Sequence, residues 1–227
     1  MVMDFFATNR IGELWLAAEP VLPEGSLRLL CVRGLWALLA ASAVFQLSGG
    51  RLQGWRATLA ALMALLCLLP GPISPAYWLE MAFAAPSWST ALLCMWHLLT
   101  AKPKPSGDIN CRDTQNSVKI PLAWALAGVA LGWLLTLDTF AALPLNDSVY
   151  AWGFGPVCSA LLLAVAASLC LVTASAFRIV PLLALGLFIL TRLPSGNIWD
   201  ALLDPWLWLY LHLSIAMQLW KRLRKHS

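Results

Sequence analysis

Apolar residues gather into seven blocks along this chain, at about 26–47, 57–69, 86–101, 120–142, 156–174, 179–191 and 205–220. Blocks of that length and apolarity predict membrane-spanning helices. The polar pieces between them are short: Ser48–Arg56, Lys102–Lys119, Ser175–Arg178 and the tail Lys221–Ser227. The expected fold class is all-α, a polytopic integral membrane protein of about seven spans forming one domain over 1–227, with 102–119 as a cytoplasmic loop.

A phrase joining an aromatic residue, usually an acid, and a proline recurs ahead of the apolar blocks. It reads Ile11-Gly-Glu-Leu-Trp-Leu-Ala-Ala-Glu-Pro20, then Ala76-Tyr-Trp-Leu-Glu-Met-Ala-Phe-Ala-Ala-Pro86, then Asn197-Ile-Trp-Asp-Ala-Leu-Leu-Asp-Pro205. A weaker copy is Ser148-Val-Tyr-Ala-Trp-Gly-Phe-Gly-Pro156. Proline suits the first position of a helix, because its missing N–H would have had no partner there. Each phrase therefore predicts a short interfacial helix followed by a fresh start. The unit of interfacial segment, inward span, loop and outward span occurs three times, its last copy ending after the inward span. Parallel internal repeats and independently arising interfacial belts both produce this pattern.

Charge orients the array. Eleven of the fifteen basic residues lie in the four polar pieces, and nine of the eleven acids lie on the opposite side, Asp108 and Asp113 being the exceptions. By the positive-inside rule the N-terminus is outside, the tail is cytoplasmic, and the phrases face out, as expected of a multi-pass inner (cell) membrane protein. Composition agrees. Hydrophobic residues make up 60% and charged residues 11%, with mean hydropathy +0.75, against about 25% charged in soluble domains. The first 27 residues carry Asp4, Glu13, Glu19 and Glu24 against one Arg10, unlike a cleavable signal peptide. Nothing in the charge pattern points to nucleic acid. The six cysteines (31, 67, 94, 111, 158 and 170) show neither CxxC nor zinc spacing. No disulfide framework, metal or cofactor is expected.

Two outward spans are short, with thirteen residues between Arg56 and Pro70 and thirteen between Arg178 and Arg192. At 1.5 Å per residue each covers ~20 Å of a hydrocarbon layer ~30 Å thick. Short segments at matching places in repeats predict an indentation near the outer surface. Snorkelling of Arg56 and Arg178 is the plainer reading.

Few residues could do chemistry. Cys158 stands two residues after Pro156, in the first turn of the fifth span, where the positive end of the helix dipole favours thiolate. Arg192 ends the sixth span on the same side. His212 stands seven residues past Pro205, ~10 Å below the outer end of its span. A cysteine nucleophile, a histidine proton carrier and an arginine that steadies an oxyanion or a carboxylate make a set for acyl transfer. Singly, each has an ordinary role: a packing thiol, a snorkelling cation, an interhelical hydrogen bond. His97 lies near the inner end of the third span and His226 in the tail. Glu80, Asp200 and Asp204 lie in the phrases, expected to face water or headgroups. Asp138 could pair with Arg192 or Arg33, and Cys31 could approach Cys67. Cys111 is expected to be a reduced bystander.

Over residues 150–220 the chain resembles the exosortase/archaeosortase family, polytopic membrane proteins regarded as cysteine transpeptidases or proteases acting on C-terminal sorting signals. Gly155-Pro-Val-Cys158-Ser159-Ala160 is similar to the family's cysteine motif, Thr191-Arg192-Leu193 to its arginine element, and Leu211-His212-Leu213 to its histidine element. The resemblance implies Cys158 as nucleophile, Arg192 as transition-state stabiliser and His212 as proton carrier. Ala160 replaces the usual glycine, and Ile189 stands where many members have asparagine. The gaps of 34 and 20 residues between the three are compressed for the family.

The leading expectation is an exosortase-like membrane transpeptidase or protease. Its substrate would be a membrane-anchored protein's transmembrane C-terminal tail, presented at the outer leaflet. The rival is a non-enzymatic accessory subunit or assembly factor, binding partner membrane subunits through Trp-rich outer segments such as those of Trp199 and Trp206. A small transporter ranks last, for want of buried ionic pairs. In each case the lipid bilayer is the constant partner.

Overall fold

Helices are the only regular structure among the described residues of the computed structural model, which describes residues 22, 25–48, 54–100, 120–144, 146–172 and 178–226. The long helices are α1 (Gly25–Leu47), α2 (Arg56–Leu68), α4 (Trp88–Thr100), α5 (Leu122–Thr139), α7 (Pro156–Val172), α8 (Ile179–Thr191) and α10 (Pro205–His226). Three short helices stand between them: α3 (Pro75–Ala82), α6 (Val149–Trp152) and α9 (Ile198–Leu202). The first phrase at Ile11–Pro20 and the loop at 102–119 with its Cys111 lie outside the described residues.

Seven long helices match the seven apolar blocks, and the fold class is all-α. Two of them, α1 and α5, are long and apolar enough to cross a membrane by length and composition. α2, α4 and α8 have thirteen residues each, or ~20 Å. α10 runs six residues beyond the expected end at 220, because Lys, Arg and Leu are good helix formers and the basic tail simply continues the spiral. α5 stops at Thr139, three residues before its expected end. Ala141 turns left-handed there (φ 51°), and the Ala141 and Ala142 amides close back onto Asp138 and Leu137.

Each phrase within the described residues folds as a short helix with a side-chain cap. Ser74 accepts from the Ala76 amide ahead of α3, Ser148 from the Ala151 amide ahead of α6, and Asn197 from the Trp199 amide ahead of α9. Pro156 and Pro205 then open α7 and α10. All three sit at one end of the bundle, as the pattern predicts, and form a cap. α4 is the hub, packing against α1, α8, α9 and α10, while α2 packs on α1, α7 on α8 and α5 on α10.

Packing divides into three clusters. Val32, Trp36, Cys67 and Ala76 join α1, α2 and α3, with Trp206 of α10 edge-on to Trp36 and Phe83. Leu185, Phe188, Ile198, Trp199 and Ala201 join α8 to α9, with Cys158 and Leu162 of α7 against them. Ala125, Leu207 and Leu211 close the α5–α10 seam, where Gly132 lies under the Trp208 indole and Gly128 under Leu211. Outside these contacts the surface stays apolar: Leu126, Trp133, Leu134 and Leu137 of α5 and Leu161 and Val165 of α7 are exposed.

A β-carbon at position 132 would overlap the Trp208 ring, so Gly132→Val should cost about 1–3 kcal/mol through overpacking. Nothing lies within 4 Å of a β-carbon at Gly186. Gly186→Ala should therefore be neutral or stabilising by up to about 1 kcal/mol. Steric-trapping measurements in micelles would compare the two, and equal stability would refute this seam.

Candidate functional site

Arg192 is the most constrained of the three proposed site residues. It follows α8 in left-handed backbone (φ 53°, ψ 24°), with its amide on the Phe188 carbonyl. Glycine is the usual residue there, and a side chain with a β-carbon costs roughly 1 kcal/mol. The side chain is nevertheless buried, at 1% exposure. Its guanidinium lies 5.3 Å from the Phe188 ring centre, and Nη1 donates to the Phe154 carbonyl at 3.3 Å. Phe154 is four residues before Cys158, so the arginine charge sits at the chain that leads into α7.

Cys158 is half-buried in the first turn of α7, against the Phe188–Trp199 cluster. Its neighbour Ser159 is buried and turns its hydroxyl onto the Gly155 carbonyl. Arg192 and Cys158 thus share one cluster and one end of the bundle. His212 lies elsewhere on the same half. Its Nδ1 is 2.8 Å from the Trp208 carbonyl and its ring stands edge-on to the Trp208 indole, 4.8 Å away. A carbonyl only accepts, so Nδ1 donates there. Trp208 itself donates to the Val129 carbonyl, so the histidine belongs to the α5–α10 seam. Among the described residues no hydrogen bond joins His212 to Cys158.

The cap has its own polar network, in which Asp138, Trp199 and Asp200 join residues that the motif reading passed over. Asn197, fully buried, donates to the Tyr150 carbonyl at 2.9 Å while capping α9. Trp199 donates to the Val149 carbonyl, and the Ile198 amide to that of Gly153. The Tyr150 hydroxyl donates to Asp200, which also accepts from the Ser195 hydroxyl. Burial and that carboxylate push the Tyr150 phenol well above its ordinary range, so it stays a donor. Among the described residues Asp138 forms no ion pair with Arg192 or Arg33. It accepts instead from the Ser148 hydroxyl and the Tyr150 amide, both at 2.8 Å, tying α5 to α6. Cys31 and Cys67 are both free thiols.

Asp204 was expected at a wet interface; it is 6% exposed. One oxygen accepts from the Ser87 amide at 2.5 Å and the other from the Leu207 amide at 2.6 Å. It thereby caps α10 and grips the residue that caps α4, where the Ser87 hydroxyl meets the Thr90 amide. Beside it opens a cleft of about 200 Å³ bordered by Arg28, Glu80, Ser195 and Asp200. Neither of the two short outward spans borders this cleft. Trp199 and Trp206 are turned inward, whereas Trp78 and Trp152 are exposed on the cap.

Among the described residues no group of three His, Cys, Asp or Glu side chains could hold a metal ion. Comparison with family models, with curated proteins and with solved structures found no match to this chain.

Asp204→Ala would strand two amides at helix starts. It should cost about 2–4 kcal/mol, with Asp204→Asn recovering part of the loss. Amide exchange at Ser87 and Leu207 should rise together in the alanine variant. Exchange rising at only one of them would refute the shared cap.

Proposed function

We propose that the chain is a seven-span membrane protein, N-terminus outside and tail cytoplasmic, whose outer cap carries a thiol acyl-transfer centre at Cys158. The observation that carries this reading is Arg192: a buried cation kept at a strained position where glycine would serve the backbone better. Its guanidinium reaches the chain that opens the cysteine's helix. A charge placed there stabilises the oxyanion that follows attack. The exposed apolar flanks of α5 and α7 support immersion in lipid.

The substrate is a membrane-anchored protein's C-terminal tail. The Cys158 thiol gives its proton to His212 Nε2, its sulfur attacks the carbonyl carbon, the C–N bond breaks, and the amine leaves with that proton. Water or a second amine then attacks the thioester and returns the thiol. This resembles exosortase chemistry, with a shortened arginine-to-histidine gap.

One observation favours a second reading. His212 is engaged at the Trp208 seam, and the cap network is occupied in holding loops together. A non-enzymatic accessory subunit would use the cap as a platform, docking partner helices through the exposed Trp78 and Trp152.

Co-expression with a reporter ending in one span and a basic tail separates the two. Cys158→Ala should lower processing by at least ~10³-fold at normal abundance, and Arg192→Lys by ~10²-fold. Full processing by Cys158→Ala would sink the enzyme reading. Loss of partner recovery by Trp78→Ala and Trp152→Ala, with the three site variants silent, would establish the accessory role.

A further inference from the structure

A second hollow borders α1. It is an apolar slot of about 750 Å³ between α1, α2 and α4. Along α1 it runs from Leu30 through Gly34, Leu38 and Ala41 to Phe45, and along α2 from Leu68 to Ala57. The sixteen residues Leu30–Phe45 of α1 make it ~22 Å long, a long apolar run that suits an extended hydrocarbon chain. Its α2 wall is alanine at positions 57, 60, 61 and 64, so the width comes from missing side chains.

One end of the slot is charged. Arg56, at the first position of α2, donates through Nε to the Phe45 carbonyl at 2.9 Å and lies 4.4 Å from the Phe45 ring centre. That fixes the guanidinium at the slot's mouth with both terminal nitrogens unbonded among the described residues. Among the described residues no carboxylate pairs with it there. α2 starts without a side-chain cap, its N-cap being the exposed Trp55, so its first amides point the same way as the cation. His97 stands edge-on to the other side of this aromatic corner, ring centres 6.2 Å apart, its Nε2 buried without a partner. The mouth therefore gathers a cation and an unsatisfied imidazole nitrogen, at the positive end of α2, around one apolar channel.

We infer that this slot holds an anionic glycerophospholipid, its phosphate at Arg56 and the start of α2, and its acyl chain along the alanine wall of α2. Under the topology proposed above the lipid belongs to the inner leaflet; the inference rests on that reading for the leaflet alone. A phosphate whose charge no headgroup cation offsets is the anion that a fixed guanidinium and a helix N-terminus attract most. Each buried methylene adds to retention, so chain and headgroup reinforce one another.

Native mass spectrometry of the detergent-solubilised full chain, delipidated and then titrated with phosphatidylglycerol or phosphatidylcholine, tests this. The wild type should retain phosphatidylglycerol at least five-fold better than phosphatidylcholine. Arg56→Gln should remove that preference while still binding both weakly. Ala61→Phe, which fills the slot from an exposed position, should lower retention of both lipids at least five-fold, and a monodisperse elution profile would show that it folds. Equal retention of the two lipids by wild type, or wild-type retention by Ala61→Phe, overturns the site. The readout is lipid mass rather than tail processing: a wild-type chain that binds lipid but processes no tail counts against the peptidase alone. One that processes tails without retaining lipid counts against the slot alone.

Discussion

A carboxylate shared between two helix starts organises this molecule. The first turn of any helix leaves amides without partners, and in an apolar setting water cannot supply them. Asp204 serves the Leu207 amide of α10 with one oxygen and the Ser87 amide ahead of α4 with the other, across 117 residues of sequence. Because α4 is the hub against which α1, α8, α9 and α10 pack, fixing its start fixes the cap end of the bundle. The other phrases repeat the device locally through Ser74, Ser148 and Asn197. Arg192 is its counterpart at a helix end, a cation on the Phe154 carbonyl.

The cap and the site are therefore one construction. The loop after α8 carries Arg192 at its start and Asn197, Asp200 and Asp204 along its length, and every one of these polar side chains is bonded to another part of the cap or to a helix start. A rigid frame of this kind is what an acyl-transfer centre needs around its nucleophile. It is also what a docking platform needs. Chemistry at Cys158 and recognition by the exposed tryptophans would draw on the same scaffold.

Much of the architecture was legible because block length and proline placement are direct physical signals. Seven apolar blocks became seven long helices, and the described phrases became capped helices at one end. What stayed hidden was azimuth. A helix apolar all round carries no polar stripe to say which side faces inward. Asp138 could thus be offered to Arg192 and prove to serve α6, and Trp206 could be offered to a partner and prove to staple α10 to Trp36 and Phe83. Likewise His212 could be counted with Cys158 by depth, although it sits in the Trp208 seam. Arg192 was legible by type; its burial depends on a left-handed turn that no residue at that position advertises.

Thirteen-residue helices recur three times, in α2, α4 and α8, and they lie in one run of neighbours with α1 between the first two. Within the proposed topology each falls short of the hydrocarbon layer by ~10 Å. Lipid around that strip must thin or tilt to meet it, at fractions of a kcal/mol per Å. The protein would then carry a local dimple in the bilayer with it, partition toward thinner membrane, and bring an anchored tail's last apolar residues closer to water than its own span length would allow.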